Sequence, residues 1–252
     1  MKRLTLYLML SATALVMAGS TIPTRFAPLG RIGMGSTWTP ANLNPAVWCP
    51  AEDTALDASG NGNDGTWSTT AAYAAGKVGY AFDFSNLERI DIGSIIPSGS
   101  VSISVWVKAN SHKDYMWIAG AGVLAGSVSG CGIISTAVNW TFQNRTAGGV
   151  VNSASVAHGD STAWTHLVGV RNGTDVRLYI NGVLAATTAS TITEAGSQPA
   201  TIGARNAIAP FDYAFDGQID DVLVFDYALS SAEITPLYNN SSKQGSSAWK
   251  IN

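Results

Sequence analysis

A glycine-rich loop at residues 57–64 carries oxygen atoms of the kind that a hard cation prefers. Its oxygen-bearing side chains belong to Asp57, Ser59, Asn61, Asn63 and Asp64. Calcium takes about six to eight oxygen ligands, and a loop of this composition can wrap around one ion. The spacing is similar to the start of an EF-hand, but Ser68 stands where the bidentate glutamate belongs, so an EF-hand is excluded. The alternative is a self-contained turn, since Asp and Asn side chains readily bond their own backbone.

Carboxylates for acid–base catalysis are few and poorly spaced. Glycoside hydrolysis uses two carboxyl groups about 5–9.5 Å apart. The chain has only four glutamates, which are dispersed: Glu52, Glu88, Glu194 and Glu233. Asp220 and Asp221 are adjacent, and neighbouring strand residues point to opposite faces. We expect His166 to be a buried structural histidine, and the sequence contains no G-x-S-x-G or H-E-x-x-H motif. The sequence therefore predicts no enzyme activity.

Aromatic and amide side chains near the middle of the chain are of the types that bind sugars. Ligand sites combine aromatic surfaces with a few placed polar groups. The predicted ligand contacts are Trp106, Trp117, Trp140, Asn139 and Arg145, with Tyr115, Gln143 and Asn144 available to line the same surface. The alternative is that each tryptophan belongs to the core, because tryptophan is highly buried on average.

Short apolar runs with period-two alternation predict the elements that position these residues. In residues 101–107, VSISVWV, every second side chain is aliphatic, which is typical of a half-buried strand. Further strands are predicted at residues 46–49, 77–84, 89–92, 115–123, 131–142, 164–171, 175–180, 183–185, 200–203 and 217–225. Asn181-Gly182 predicts a two-residue hairpin turn. Helix is expected only after a cap at Ser230 or Ser231, with Glu233 completing a capping box. Many short strands with little helix predict a β-sandwich.

Several segments follow one another in a fixed order: residues 57–66, 76–84, 102–108, 164–171, 178–182, 215–222 and 228–234. Together they resemble the laminin-G-like jelly-roll domains of the concanavalin A-like lectin/glucanase superfamily, over residues 46–240. The resemblance implies an all-β, two-sheet antiparallel β-sandwich whose concave face often binds glycans. It also implies a second source of metal ligands in the Asp220-Asp221 pair, of which at most one faces the ion. The predicted calcium ligands are therefore Asp57, Asn61, Asn63, Asp64 and Asp220. The E-x-D-x-E run of the glucanase branch is absent.

Composition and the N-terminus indicate an exported protein. Only 12% of the residues are charged and the formal net charge is −3, so no basic surface for nucleic acid is expected. Residues 1–18 combine Lys2 and Arg3 with an apolar stretch that ends in small residues, which predicts a signal peptide too short to span a membrane. Residues 19–45 are rich in proline and glycine and are interpreted as a linker, and residues 241–252 as a C-terminal tail.

The sequence is compatible with two states of the cysteines. In an exported protein, Cys49 and Cys131 suggest one disulfide. The alternative is two separate buried thiols.

These features predict a non-catalytic module, secreted or on an extracellular surface, that binds a glycan and holds a structural calcium ion. The alternative is a structural or adhesive protein, at a cell surface or in a virion, that binds protein partners through the same sandwich. A glycoside hydrolase is the least favoured function. The oligomeric state and the identity of the ligand are not readable from the sequence.

Overall fold

Two antiparallel β-sheets form the domain. A computed structural model describes residues 38–85, 88–121, 128–159, 162–205 and 213–243. The strands are β1 (Val47–Cys49), β2 (Thr66–Trp67), β3 (Tyr73–Ala75), β4 (Tyr80–Phe84), β5 (Ile90–Asp91), β6 (Val101–Ala109), β7 (Met116–Ala121), β8 (Gly130–Ser135), β9 (Asn139–Arg145), β10 (Val151–Ala157), β11 (Thr165–Arg171), β12 (Asp175–Ile180), β13 (Val183–Ala189), β14 (Thr201–Ile202) and β15 (Gly217–Phe225). A 3-10 turn spans Pro40–Leu43, and helix α1 spans Ser231–Lys243.

The strand order confirms the predicted all-β sandwich. The eight-stranded sheet has the order β13-β12-β11-β6-β15-β4-β3, and β1 also pairs with β15. The seven-stranded sheet has the order β10-β9-β8-β7-β14-β5-β2. Side chains from both inner faces pack into one core that includes Phe82, Phe84, Ile103, Val105, Ile133 and Phe142.

Helix α1 covers the outer face of the eight-stranded sheet. Ile234 and Leu237 of the helix pack with Val168, Val170 and Phe225 of the sheet in a second apolar cluster. This cover explains why β6 is buried on both faces, although its sequence alternates as a half-buried strand would. Among the described residues, no helix combines the length and the apolar character needed to cross a membrane.

Two local predictions are confirmed by backbone geometry and hydrogen bonds. Asn181 and Gly182 have φ angles of 51° and 79°, the positive values that a type I′ hairpin turn requires. At the start of α1, the carboxylate of Glu233 accepts a hydrogen bond of 2.8 Å from the backbone N–H of Ser230. That contact satisfies a donor at the helix start, as a capping box does.

Other boundaries differ from the prediction. The single strand expected at residues 131–142 is a hairpin, β8 and β9. Strand β10 was not predicted, because its sequence VNSASVA lacks alternating large apolar side chains. Trp38 and Leu43 pack against the second cluster, so residues 38–45 belong to the domain and not to a linker. The predicted signal peptide, the linker up to residue 37 and the tail from residue 244 lie outside the described residues.

The predicted disulfide is wrong, and the alternative of two buried thiols is what the structure has. Cys49 lies on β1 of one sheet and Cys131 on β8 of the other, and both are free and buried. Burial raises the pKa of the Cys49 thiol, and it raises the pKa of Cys131 to about 11. Both groups are therefore protonated and unreactive at neutral pH.

His166 is a buried structural residue, as expected. Its Nε2 lies 2.9 Å from the Ser104 hydroxyl, and its ring lies 5.1 Å from that of Trp106. Nδ1 is buried and has no hydrogen-bond partner in the described part of the chain. Burial lowers the pKa of His166 to about 3.

We expect acid to destabilise the fold through His166. Because the pKa of this histidine is lower in the folded chain than in the unfolded chain, stability falls as the pH drops from about 6.5 towards 3. Between pH 6.5 and 4.5 the loss attributable to His166 amounts to about 2 kcal/mol. Urea unfolding of the wild type and of His166→Gln across this range measures the effect. The variant should show a shallower pH dependence, and identical slopes would contradict the prediction.

Candidate functional site

The glycine-rich loop at residues 57–64 is anchored by the carboxylate of Asp57. Its Oδ1 accepts hydrogen bonds from the backbone N–H groups of Trp48 at 3.0 Å and Ser59 at 2.9 Å. Its Oδ2 accepts a third from Asn63 N–H at 3.0 Å. Burial alone would raise the pKa of Asp57, but hydrogen bonds from Ser59, Trp48 and Asn63 outweigh it and lower the pKa. Both oxygens are thus already engaged by the protein.

The other predicted loop ligands also make hydrogen bonds, Asp64 through one carboxylate oxygen and the two asparagines through their amide nitrogens. Asp64 Oδ1 accepts a hydrogen bond of 2.8 Å from the N–H of Asp57. The side-chain amides of Asn61 and Asn63 donate to the carbonyl oxygen of Ala46, at 3.2 and 3.0 Å. These contacts hold the loop against the chain before β1, and they do not use the side-chain oxygens of Asn61 and Asn63.

Asp220 lies in a different cluster of carboxylates. A β-bulge in β15 shifts the register between Asp220, which faces Trp106, and Leu223, and Asp221 within it has a φ of 48°. The bulge breaks the strict alternation from which opposite faces were predicted. Asp220 and Asp221 are instead both buried, at 0% and 2% exposure, and repulsion from Asp221 adds to burial in raising the pKa of Asp220.

The acidic cluster consists of Glu52, Asp220 and Asp221, and its members hold the turn at residues 76–80. Asp220 Oδ2 accepts hydrogen bonds from the N–H groups of Lys77 at 2.8 Å and Val78 at 3.0 Å. Glu52 Oε2 accepts a weaker one of 3.4 Å from Tyr80 N–H. The glycines of this turn leave room for the carboxylates, because a Cβ at Gly76 or Gly79 would overlap their oxygens.

The carboxylates of the acidic cluster repel one another, and some of their oxygens accept no hydrogen bond from the described residues. Glu52 Oε1 and Asp220 Oδ1 are buried and have no hydrogen-bond partner among the described residues. Burial raises the pKa of Glu52 to about 7, with Asp221 and Asp53 adding repulsion. Within the described ranges, no three His, Cys, Asp or Glu side chains are arranged to share a metal ion. A calcium ion at the cluster would therefore need carbonyl oxygens or water among its ligands, which calcium accepts.

Trp48 joins the loop to the last strand. Its backbone N–H donates to Asp57, and its indole Nε1 donates to Asp221 Oδ1 at 3.0 Å. The DASGNGND segment and the IDD strand are therefore connected through one residue of β1. Sequence reasoning missed Glu52 and Trp48 because nothing local in the sequence marks either one as a neighbour of β15.

The outer face of the seven-stranded sheet carries a second group of aromatic and polar side chains, of the types that bind ligands. Met116 and Ile118 face the inner core, whereas Trp117 between them lies on the outer face and is only 4% exposed. The Trp117 ring covers Gly132, where any Cβ would overlap it. Its indole Nε1 donates to the carbonyl oxygen of Thr201 at 3.4 Å, and the Thr201 hydroxyl is buried with no hydrogen-bond partner in the described part of the chain.

Tyr115 and Gln143 form the centre of this face. The Tyr115 hydroxyl donates a hydrogen bond of 2.5 Å to Gln143 Oε1. Tyr115 has a φ of 65°, and a non-glycine residue in the left-handed region often marks a functional position. The guanidinium groups of Arg145 and Arg205 both lie close enough to Tyr115 to lower its pKa, although burial has the larger effect and raises it. We call Tyr115, Trp117, Gln143, Arg145 and Thr201 the polar face.

Tyr213 extends this aromatic surface beyond the sheet. Its ring meets that of Tyr115 edge to face, with the ring centroids 5.5 Å apart. The guanidinium carbon of Arg205 lies 4.2 Å from the centroid of the Tyr213 ring, in a cation–π contact. Backbone contacts keep this segment in place, because Trp117 N–H donates to the carbonyl oxygen of Tyr213 at 2.8 Å.

The structure brings together only some of the predicted ligand contacts. Trp117 and Arg145 share the polar face, and Asn139 is half-buried at the opposite end of β9. Trp140 and Asn144 point into the sandwich instead, and Trp140 is part of the core. Trp106 is on the other sheet, 2% exposed, with its ring stacked against Tyr238 and beneath Lys77 Nζ. All three tryptophans are therefore buried, since Trp117 is 4% exposed and Trp140 is 2% exposed, and Trp106 and Trp140 lie away from the polar face.

Comparison with known proteins identifies related folds. Residues 85–235 match a laminin G family model of the concanavalin A-like lectin/glucanases superfamily. No curated protein matches the sequence. Domain 4 of AbnA, a GH43 extracellular arabinanase from Geobacillus stearothermophilus solved with arabinotriose, is 21% identical with a TM-score of 0.66, over 77% of this chain and 98% of that domain.

Toxin binding domains have the same fold. The binding domain of botulinum neurotoxin DC, solved with SialylT, is 15% identical with a TM-score of 0.62, over 81% of this chain and 53% of that one. The binding domain of Paraclostridial Mosquitocidal Protein 1 is 18% identical with a TM-score of 0.63, over 79% of this chain and 53% of that one. The chain thus spans about half the length of these two binding domains.

We expect Asp57→Ala to destabilise the domain by about 2–3 kcal/mol, because three buried or half-buried N–H groups lose their acceptor. Urea unfolding at pH 7 measures the loss. Asp114→Ala is the matched control, since Asp114 is exposed, and it should change stability by less than about 0.5 kcal/mol. Equal stability of the two variants would contradict the structural role of Asp57.

Proposed function

This chain belongs to the concanavalin A-like lectin/glucanase superfamily, and we propose that it is a non-catalytic module that binds a carbohydrate through the polar face. The observation that carries the proposal is the hydrogen bond between Tyr115 and Gln143 on the outer face of the seven-stranded sheet. It orients an aromatic ring and an amide next to the guanidinium of Arg145. Such a combination suits a sugar, because the aromatic ring can contact an apolar face of the sugar ring while the polar groups bond its hydroxyl groups.

Unused hydrogen-bonding capacity at the polar face supports the same function. Gln143 Oε1 is occupied by Tyr115, and within the described residues its amide nitrogen donates no hydrogen bond. The buried hydroxyl of Thr201 also has no partner there. A buried polar group without a partner costs free energy, which a ligand hydroxyl or an ordered water can recover.

Two solved relatives support a carbohydrate as the ligand. The arabinanase domain was solved with arabinotriose and the neurotoxin binding domain with SialylT. A non-catalytic role is supported by the state of the paired aspartates, because Asp220 and Asp221 are buried and hold structural contacts. The low content of charged residues supports a location outside the cytoplasm, on a secreted or surface protein.

A glycan array followed by calorimetry with the best ligand tests the proposal. We expect specific binding, and Arg145→Gln should weaken it about 10-fold, because one charge-assisted contact contributes about 1.4 kcal/mol. Arg177→Gln is the matched control: it removes the same charge from a strand of the other sheet, where Arg177 pairs with Asp175. That variant should change the affinity less than 2-fold.

Three outcomes would contradict the proposal. The first is the absence of any specific glycan on the array. The second is an equal effect of Arg145→Gln and Arg177→Gln, which would place the ligand elsewhere. The third is release of reducing sugar from a polysaccharide, which would make the chain an enzyme. A chain without glycan ligands that bound protein partners would favour the adhesive or virion alternative.

We further propose that a structural calcium ion binds at the acidic cluster and not in the loop at residues 57–64. Support comes from two buried carboxylate oxygens that have no hydrogen-bond partner among the described residues, Glu52 Oε1 and Asp220 Oδ1, and from the repulsion that both residues experience from Asp221. A divalent cation would relieve that repulsion. The carboxylates of the loop are better satisfied without an ion, since Asp57 and Asp64 accept backbone hydrogen bonds.

Thermal unfolding with calcium and with a chelator tests this placement. At a calcium concentration about 100-fold above its Kd, binding adds about 2.7 kcal/mol, which raises the Tm by about 5–11 °C for a domain of this size. Asp220→Asn should abolish the shift, whereas Asp57→Ala should lower the Tm and retain the shift. If Asp57→Ala loses the calcium-dependent Tm shift and Asp220→Asn retains it, the ion binds in the loop at residues 57–64. If calcium does not raise the Tm of the wild type, the proposed calcium site is wrong.

A further inference from the structure

One lateral edge of the sandwich is long and uncharged, and no strand of the described residues pairs with it. Strands β13 and β10 are the terminal strands of the two sheets on this side. They lie against each other, since the Thr188 hydroxyl donates a hydrogen bond of 2.8 Å to the carbonyl oxygen of Ser153. The Asn152 side chain also donates to the Ser190 hydroxyl, at 3.1 Å. We call β10 and β13 the neutral edge.

The absence of charge extends well beyond the two strands. No Asp, Glu, Lys or Arg occurs between Arg177 and Glu194, or between Arg145 and Asp160. Strand β13 has the sequence VLAATTA, and Val183 and Leu184 at its start are 69% and 48% exposed. Exposed edge strands are normally protected by charge, proline or short length, because their free N–H and C=O groups recruit other strands.

The opposite edge has the usual protection. There the terminal strands are β3 with three residues and β2 with two, which are too short to template another strand. Strand β13 has seven residues, and its one irregularity is a bulge where Ala185 has no partner, near the beginning of the strand. Most of its length is therefore regular and available for pairing.

We propose that the neutral edge is a homodimer interface in which β13 pairs antiparallel with β13 of a second copy. In such a two-fold arrangement each strand meets its own sequence. Like charges in a charged strand would repel each other across the two-fold axis, whereas the sequence of β13, VLAATTA, contains no charged residue. The same neutrality disfavours a charged partner strand, because this edge offers no counter-ion to a charge that loses its water.

Small side chains suit this close approach. The outward positions of β13 include Ala185, Thr187 and Ala189, all exposed, which leave the backbone accessible along the strand. Pairing would join the two eight-stranded sheets into one continuous sheet. The interface involves neither the polar face nor the acidic cluster, so it does not depend on the carbohydrate proposal.

Analytical ultracentrifugation of the full chain between about 1 and 100 µM tests the proposal. We expect a concentration-dependent monomer–dimer equilibrium. Thr187→Asp should weaken dimerisation at least 10-fold, because it brings a negative charge from each copy into the paired strands. Thr70→Asp is the matched control on an exposed loop and should leave the equilibrium unchanged. Circular dichroism checks that both variants keep the β spectrum.

Hydrogen exchange locates the interface directly. Amide protection at residues 183–189 should increase with protein concentration in the wild type and in Thr70→Asp, but not in Thr187→Asp. A chain that stays monomeric at 100 µM would overturn the proposal. So would a dimer that Thr187→Asp leaves intact, or one whose concentration-dependent protection lies away from β13.

Discussion

The packing of helix α1 against the eight-stranded sheet determines which surface of this sandwich is left for a ligand. Ile234 and Leu237 complete an apolar cluster on the outer face of that sheet, and Tyr238 stacks on Trp106. Burial of this apolar area stabilises the fold and covers the part of the outer face around Trp106 and Val168. The outer face of the seven-stranded sheet has no such helix within the described residues, and there the polar side chains of Gln143 and Arg145 accompany the buried Trp117. Tyr115 and Gln143 are fixed by each other on that face, so a ligand would meet groups that are already oriented.

The acidic cluster shows how a bulge changes the electrostatics of a strand. A regular β15 would separate Asp220 and Asp221 onto opposite faces, where each would have its own surroundings. The bulge buries both, and repulsion from Asp221 joins with burial to disfavour the ionised form of Asp220. The N–H groups of Lys77 and Val78 offset part of that cost, and a cation would offset the rest. The loop around Asp57 is the opposite case, since its carboxylate has all its hydrogen bonds and a lowered pKa.

The sequence predicts the strands well where the pattern is local and fails where it depends on neighbours. The strand at VSISVWV and the Asn181-Gly182 turn follow from a few adjacent residues, and both were confirmed, although the strand is buried on both faces. Trp106, Trp117 and Trp140 have similar local sequences, yet one lies under a helix, one on the polar face and one in the core. Their fates depend on which sheet and face each occupies, and no local pattern encodes that. The same limit explains why Glu52 was missed and why Cys49 and Cys131, on different sheets, were considered as a pair.

The central claim is that the polar face binds carbohydrate. An NMR titration of the isotopically labelled chain with its best array ligand tests this claim most directly, because each backbone amide reports on its own surroundings. The account predicts that the largest chemical-shift changes occur at Tyr115, Trp117, Gln143 and Arg145. Changes confined to the loop at residues 57–64, or to the side covered by α1, would contradict it.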